Sequence, residues 1–171
     1  MCSPDLYRAV IARAPGDLLA HLCLGLTLKQ TGAFDQAIEV YKAALAIDPE
    51  SYVIHTALGE IYYNNGLLDQ SIHELQTAIA INPDGSEAHF LLGFTYGEKG
   101  MLVDAIEEFR KAVEIDPASA EAHFNLGAAL VGSDMVDDAL PELELAVRYS
   151  ADNAAAHFHL GLIYLRKGMF T

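Results

Sequence analysis

One internal period constrains this chain more than any other feature, because glycine recurs every 34 residues. The series is Gly25, Gly59, Gly93, Gly127 and Gly161. The same offset links Pro15, Pro49, Pro83 and Pro117, with Ala151 in the fifth place. Self-similarity at a fixed period of this length is the signature of a repeat architecture, in which one helical or stranded unit stacks on the next.

Local signals predict two helices in each unit. Residues that can cap a helix stand before the first helix, at Asp17, Ser51, Gly85, Ser119 and Asn153. A second glycine series predicts the turn between the helices, at Gly32, Gly66, Gly100 and Gly168. Asp134 interrupts that series, and Pro141 follows it, so we predict a locally softened fourth unit. Pro141 is expected in the first turn of its helix, where a missing N–H costs little.

Small residues predict close helix packing within a unit. Alanine or serine recurs in the second helix, at Ala37, Ser71, Ala105 and Ala139. Leucine recurs beside each glycine, at Leu24, Leu58, Leu92, Leu126 and Leu160. We expect these leucines to fill the seam that the small residues leave between helices.

The period and these residue types resemble the tetratricopeptide repeat, a helix-turn-helix unit, over essentially the whole chain. The resemblance implies an all-α fold, a right-handed superhelical α-solenoid in a single domain over residues 1–171. The units are a half repeat at 1–17, full repeats at 18–51, 52–85, 86–119 and 120–153, and a half repeat at 154–171.

The resemblance also implies a non-catalytic protein-protein interaction scaffold, whose concave groove is lined by the first helices. The groove residues carried over are Leu19, Leu22, Leu26, Thr56, Glu60, Tyr63, Asn64, Phe90, Phe94, Phe124, Asn125, Ala128, Phe158, Leu162 and Arg166. Apolar residues dominate this set, which predicts binding of an amphipathic helix or extended peptide. Phe90, Phe94 and Phe124 are the predicted anchors, and the alternative that these rings belong to the core stays open.

Two other uses of the repeat are disfavoured. A carboxylate clamp would need clustered basic and amide residues, but Lys29, Asn64, Asn125 and Arg166 are widely separated. The asparagine ladder of repeats that precede sugar-transferring enzymes would need asparagine where Cys23, Ala57 and Leu91 stand. The alternatives kept open are a fragment of a larger, glycosyltransferase-like enzyme and a self-assembling head-to-tail oligomer.

Histidine recurs with the period, which raises a metal or pH-dependent role. The series is His21, His55, His89, His123 and His157. One histidine per repeat places successive side chains about 10 Å apart, the distance between packed helices, which is too far for one zinc ion. We therefore predict that they fill the intra-repeat seam, with loosening of the array on acidification as the alternative. No catalytic motif appears, and His55, Glu60, His73 and Glu74 fall at unrelated repeat positions, so no catalytic cluster, metal or cofactor is predicted.

Charge and cysteine content limit the classes of partner and the cellular location that the sequence predicts. The net charge of −14 argues against nucleic acid, because phosphate binding needs a basic stripe. Residues 112–147 carry eight acidic residues and no lysine or arginine, which indicates a solvated acidic face or, alternatively, a docking surface for a basic partner. Cys2 and Cys23 are too few for a disulfide framework, and no segment is apolar enough to insert in a membrane, so a cytoplasmic location is expected.

The chain begins and ends in the middle of a repeat, which predicts apolar faces on its two terminal helices. The residues expected to be exposed are Leu6, Tyr7, Val10 and Ile11 in the first, and Leu160, Ile163 and Tyr164 in the last. Self-association through these helices follows as a prediction, as does the alternative that the chain is part of a longer repeat protein.

Overall fold

The computed structural model describes residues 3–168, which contain ten helices and no strand. The helices are α1 Pro4–Arg13, α2 Leu18–Gln30, α3 Phe34–Leu45, α4 Tyr52–Asn64, α5 Leu68–Ile81, α6 Ser86–Glu98, α7 Leu102–Ile115, α8 Ala120–Gly132, α9 Val136–Tyr149 and α10 Ala154–Lys167. The predicted all-α repeat fold is confirmed. Cys2, one of the two cysteines that are too few for a disulfide framework, lies outside the described residues.

The helices group into two compact units, Met1–Pro83 and Asp84–Thr171, called unit 1 and unit 2 below. In unit 1, α2 packs with α3 and α4 with α5, while α1 packs on α2. In unit 2, α6 packs with α7 and α8 with α9, while α10 packs on α9. Consecutive helices therefore form the predicted hairpins, and the single domain stays a prediction.

Caps start the first helices where the sequence predicts them, although not always through a side chain. The carboxylate of Asp17 accepts a hydrogen bond from the backbone N–H of Ala20 at 3.0 Å. Ser119 and Asn153 cap α8 and α10 in the same way. Ser51 stands at the N-cap of α4 without making a side-chain hydrogen bond. The helix boundary thus survives the loss of a capping bond that contributes about 1 kcal/mol elsewhere.

The turn glycines adopt the left-handed backbone conformation expected of them. Their φ angles lie between 65° and 75°, at Gly32, Gly66, Gly100 and Gly168. Asp134 occupies the same place with φ 60° and is the one non-glycine with positive φ among residues 3–168. This conformation crowds Cβ against the carbonyl of any L-residue other than glycine, so the predicted weakness of the fourth unit has a local cause.

Pro141 corrects one sequence-based expectation. Because α9 begins at Val136, Pro141 is its sixth residue and lies beyond the first turn, where we expected it. Its missing N–H therefore removes a bond that would have reached the carbonyl of Asp137. The helix nevertheless continues to Tyr149.

Close approach at the repeating glycine defines the seam of each hairpin. A Cβ added to Gly25 would lie 2.5 Å from the ring of Tyr41, and one added to Gly93 would lie 2.7 Å from the ring of Phe109. Gly59 and Gly127 meet Leu75 and Leu143 at 2.5 and 2.6 Å. A Cβ added to Gly161 would meet no atom of another helix among residues 3–168 within 4 Å. Each complete hairpin thus inserts one large side chain into a notch, and the notch of α10 is open.

The predicted seam residues are buried. The repeating leucines are at most 7% exposed, and the small residues of the second helices are fully buried. Separate apolar clusters form in the two units, one around Leu58 and Tyr41 and one around Phe109 and Leu143.

Candidate functional site

First helices of successive repeats lie side by side within each unit, and their shared face is called the inner wall. In unit 1, Lys29 on α2 forms an ion pair with Glu60 on α4. In unit 2, the Phe124 ring on α8 lies 5.9 Å from the His159 ring on α10. Two of the predicted groove residues, Glu60 and Phe124, therefore each contact the first helix of a neighbouring repeat, and the groove itself stays a prediction.

Aromatic rings form the α6 part of the unit 2 wall. Phe90 and Phe94 meet edge to face with centroids 4.9 Å apart. Both rings also contact Phe109, at 5.9 and 5.7 Å, and Phe109 is only 4% exposed. Phe90 and Phe94 are partly buried, so each ring serves the core of unit 2 and leaves an edge on the surface.

The α10 part of the unit 2 wall is far more exposed. Phe158 is 64% and Leu162 is 46% exposed, one helical turn apart. The His159 ring lies between the rings of Phe158 and Phe124, with both centroid distances 5.9 Å. Its Nδ1 is buried without a hydrogen-bond partner among residues 3–168. An apolar stripe thus runs from the exposed α10 side chains onto partly buried Phe124.

Polar groups border this stripe. Asn125 is partly buried, and its Nδ2 donates to the backbone carbonyl of Glu121 at 2.8 Å. The guanidinium of Arg166 donates to Asp134 at 2.8 Å, with both side chains largely exposed. Ala128 is partly buried beside Phe124 on the same helix. The border can therefore hydrogen-bond a ligand while the stripe itself is apolar.

The α2 part of the unit 1 wall exposes aliphatic side chains. Leu19 is 69% and Leu26 is 46% exposed, while Leu22 is partly buried against the unit 1 core. On α4, Thr56 is buried, and its hydroxyl donates to the carbonyl of Tyr52 at 2.9 Å. Thr56 is thus engaged within its own helix, although the resemblance carries it over as a groove residue.

The centre of the unit 1 wall is polar. The Lys29–Glu60 pair is only partly exposed, and burial together with the Glu60 carboxylate raises the pKa of Tyr41 to about 12. Tyr63 is partly buried, and Asn64 is exposed at the end of α4. A bound segment would meet fixed charges here and aromatic rings in unit 2.

The histidine series contains a pairing that the sequence analysis missed. Nδ1 lies 2.6–2.7 Å from a carboxylate oxygen on the second helix of the same repeat, in the pairs His55–Glu74, His89–Glu108 and His123–Glu142. His55 and Glu74 were interpreted as unrelated, and that interpretation is wrong. The available signal was a glutamate 19 residues after three of the histidines.

These pairs act as polar staples across the seam. Nε2 of His123 also lies 3.0 Å from the carbonyl oxygen of Pro117, so both ring nitrogens face acceptors. Burial favours a raised pKa for Glu108, but hydrogen bonds and charge from His89 and Lys111 outweigh it and hold that pKa below its usual value. His21, His89 and His123 are buried and His55 is partly buried, as the seam-filling prediction requires, whereas His157 is exposed and does not follow it.

The predicted apolar end faces need a correction. Leu160 and Ile163 are only 7% and 3% exposed, because they point into the unit 2 core where α10 packs on α9. Tyr164 is partly buried, and its hydroxyl donates to Glu144 at 3.0 Å. In α1, Leu6 is 59% exposed, whereas Tyr7 and Ile11 pack against the unit 1 core.

Much of the acidic stretch is already paired. Asp134 contacts Arg166 and Asp137 contacts Lys167, which holds the pKa of Asp137 below its usual value through a hydrogen bond and charge. The carboxylate of Glu142 lies 2.7 Å from Nδ1 of His123. Across residues 3–168 there is neither a group of three potential metal ligands nor a helix long and apolar enough to cross a membrane.

Sequence comparison matches most of the chain to repeat-family models. Residues 28–93 and 124–171 match models described as tetratricopeptide repeat, and residues 96–133 match one described as TPR repeat. No match is found among curated proteins.

Several solved structures share the fold. MamA is 28% identical over 88% of both chains, with a TM-score of 0.80. YrrB, described as a TPR protein with an unusual peptide-binding site, is 19% identical over 97% of this chain and 86% of its own, with a TM-score of 0.83. PilF of Pseudomonas aeruginosa is 20% identical over 89% of this chain and 69% of its own, with a TM-score of 0.80.

Proposed function

Because the chain belongs to the tetratricopeptide-repeat family, whose fold is a protein-interaction scaffold, we propose that the inner wall of unit 2 holds a partner polypeptide through apolar anchors. The proposed ligand is an amphipathic helix or extended segment of another protein. No catalytic step is assigned to the chain. The peptide-binding site described for YrrB supports this use of the same fold.

The observation that carries the proposal is the exposed apolar stripe on α10. Phe158 and Leu162 both project from the wall, and a contiguous exposed apolar patch is typical of a binding surface. Covering each of them is worth about 1.5–3 kcal/mol. Phe124 continues the stripe through the His159 ring, so a ligand would bury a contiguous surface and not two isolated side chains.

The spacing of the stripe indicates the form of the ligand. Phe158 and Leu162 are four residues apart on one helix, and a partner helix packing against them would present its own apolar residues at intervals of three and four. Asn125 at the border can orient a polar group of the ligand. Unit 1 is expected to contribute less to the free energy of binding, because a ligand that covered the Lys29–Glu60 pair would remove water from both charges, which costs free energy.

Peptide selection from a random library tests the proposal with an unbiased set of ligands. The library is displayed on phage and selected against the purified chain, and the enriched peptides are measured by titration calorimetry. We expect peptides with apolar residues at helical spacing. Leu162→Ser should weaken their binding by about tenfold or more, since a buried leucine contributes about 1.5–3 kcal/mol.

Val103→Ser supplies the matched control, since Val103 is 79% exposed on α7 and lies off the inner wall. This variant should bind the selected peptides as the unsubstituted chain does. Equal loss in both variants, or no loss in Leu162→Ser, would contradict the proposal. Both substitutions fall on exposed side chains, so the melting temperature should stay unchanged.

A second candidate function is head-to-tail self-association, which the open notch at Gly161 favours. Elsewhere this notch receives a large side chain from a second helix, and Tyr7 on α1, which the unit 1 core covers only in part, stands at the matching repeat position. A second copy could therefore place α1 beside α10. Such a contact is heterologous and need not close into a ring.

Light scattering over a concentration series tests this second candidate. Mass that rises with concentration, and no longer does so in Gly161→Leu, would support docking at the notch. A constant monomer mass would contradict it and would leave the proposed groove unaffected.

A further inference from the structure

Unit 1 carries an open cleft of about 420 Å³ between α1 and α3, with α2 as its floor. Its walls are apolar, with Ile11 on one side, Val40 and Ala43 on the other, and Leu24 below. The cleft lies on the side of α2 opposite Leu22 and Leu26. It is thus separate from the inner wall.

One largely buried polar side chain lines this cleft and has a hydrogen-bond partner at only one of its two ring nitrogens. His21 lines the cleft and is only 5% exposed. Its Nδ1 lies 2.8 Å from the carbonyl oxygen of Asp17, and a carbonyl only accepts, so Nδ1 carries the hydrogen and donates it. In the neutral ring Nε2 is then an acceptor, and it has no partner among residues 3–168.

Comparison within the chain explains why this site is open. The other repeats that pair their histidine place Glu74, Glu108 or Glu142 where repeat one has Val40. The shorter apolar side chain of Val40 leaves space in the cleft, and Nδ1 of His21 bonds to the Asp17 carbonyl instead of to a glutamate. Among residues 3–168, His159 Nδ1 is the one fully buried side-chain nitrogen or oxygen without a partner, so Nε2 of His21 keeps some solvent contact and is accessible to a donor that enters the cleft.

Charge at the mouth of the cleft indicates the sign of the ligand. Glu39 lines it, and an adjoining cleft of about 360 Å³ adds Asp35 one turn away on α3. Neither carboxylate has an ion pair in the part of the chain that the structure describes. The guanidinium of Arg8 is engaged by Asp5 at 3.3 Å and by Gln36 at 2.8 Å. The uncompensated charge at the mouth is therefore negative.

We propose that this cleft binds a lysine side chain of a partner protein. The butyl stem would lie against the apolar walls, and the ammonium would donate to Nε2 of His21 while the carboxylates of Asp35 and Glu39 neutralise it. Lysine suits this arrangement because its stem is apolar and its head has three donors and no acceptor. The net charge of −14 favours a basic partner in the same sense.

NMR titration with small probes tests the proposal. The probe is Nα-acetyl-lysine methylamide, which keeps the ε-ammonium. Its matched controls are Nα-acetyl-norleucine methylamide, which keeps the stem without the ammonium, and hexanoate, which reverses the charge. We expect millimolar binding of the lysine probe. Backbone amide shifts should centre on Leu24, Val40 and Ala43, with a shift of the His21 Nε2 resonance. The lysine probe should bind about tenfold more tightly than the norleucine probe, as a charge-assisted hydrogen bond implies.

Two variants separate the contributions of imidazole and charge. His21→Phe keeps a ring of similar shape and should reduce lysine binding to the norleucine level. Glu39→Lys changes only an exposed side chain, so the fold should be retained, and it should have the same effect. Equal binding of lysine and norleucine, tighter binding of hexanoate, or lysine binding unaffected by Glu39→Lys would overturn the proposal. Loss of groove peptides in Leu162→Ser is independent of all these results.

Discussion

The two units are built on the same kind of hairpin seam but have different inner walls. At the same repeat positions unit 1 places Tyr41 and Glu60, whereas unit 2 places Phe109 and Phe94. Lys29 neutralises Glu60 in unit 1, while the unit 2 rings pack edge to face. The wall of unit 1 is therefore polar at its centre and that of unit 2 is aromatic.

Comparison of the two units separates the repeat positions that helix packing constrains from those that it leaves free to vary. Each complete hairpin needs a glycine opposite a large side chain, and tyrosine, leucine and phenylalanine all meet that need. The inner wall is not constrained in this way, because its side chains face a ligand or water and not another helix of the same hairpin. Differences between repeats on the wall are thus more informative about binding than the shared residues of the seam.

The largest expected effect comes from breaking the seam common to both units. Gly93→Ala and Gly59→Ala should each destabilise the chain by about 2 kcal/mol, because the added methyl group overlaps Phe109 or Leu75. Gly161→Ala is the matched control and should be neutral or stabilising by up to about 1 kcal/mol, since alanine favours helix and the space is open. Urea denaturation measures all three. If Gly161→Ala destabilised the chain as much as the other two variants, overlap with a large side chain would not be the cause of the loss.

Removing one polar staple should have the next largest effect. Glu108→Gln should cost about 1–2 kcal/mol near neutral pH, because a charge-assisted bond to buried His89 is lost. The folded-state pKa of Glu108 is lowered, so its contribution is present above the unfolded pKa and is lost as pH falls through the folded pKa.

Melting temperatures of this pair of proteins over pH 3–7 give the check. The difference between the unsubstituted chain and Glu108→Gln should shrink towards acid pH. A difference that is constant with pH would show that the carboxylate charge has no part in the staple.

Relief of the left-handed turn at Asp134 should have a smaller and favourable effect. Asp134→Gly removes the crowding of Cβ at φ 60°, at the loss of an exposed ion pair with Arg166. The expected net gain is about 0.5–1 kcal/mol by urea denaturation. Gly100→Asp reverses the change at an equivalent turn and should destabilise. A loss of stability in Asp134→Gly would mean that the ion pair outweighs the backbone strain.

The smallest expected effect comes from giving unit 1 the missing staple. Val40→Glu places a carboxylate where three other repeats have one, and His21 can turn to meet it. A gain of about 0.5 kcal/mol is expected, since one hydrogen bond forms and some apolar contact is lost. Val40→Gln, which lacks the charge, should gain less. Destabilisation by both variants would show that the α1–α3 cleft does not tolerate a polar side chain.

The sequence was sufficient to predict the residues of the hairpin seam, but not which side chains of the inner wall are exposed. The glycine series specifies the hairpins because a steric notch recurs with every turn of the repeat. Exposure on the wall is different: Phe90 and Phe158 share a repeat position, yet Phe90 packs against Phe109 and Phe158 is 64% exposed. Burial of such a residue depends on its neighbours in space, which the period does not specify.

The sequence analysis missed the histidine–glutamate pairs and was wrong about the exposure of two α10 side chains, and each error has a physical cause. The staples were missed because histidine and glutamate lie on different helices, and only the packed hairpin brings residues 19 apart within 2.7 Å. Leu160 and Ile163 were expected to be exposed because the final half repeat was treated as lacking neighbours on that face. Their face of α10 instead meets α9, and the open face is that of Phe158, Gly161 and Leu162.

Photo-crosslinking from the inner wall tests whether the apolar stripe of unit 2 contacts the bound ligand. A photoreactive benzoylphenylalanine replaces Leu162 in one sample and Val103 in another, and each is irradiated with a peptide selected from the phage library. We expect a crosslinked product from position 162 and none from position 103. Crosslinking from position 103 alone would contradict the assignment of the ligand site to the apolar wall of unit 2.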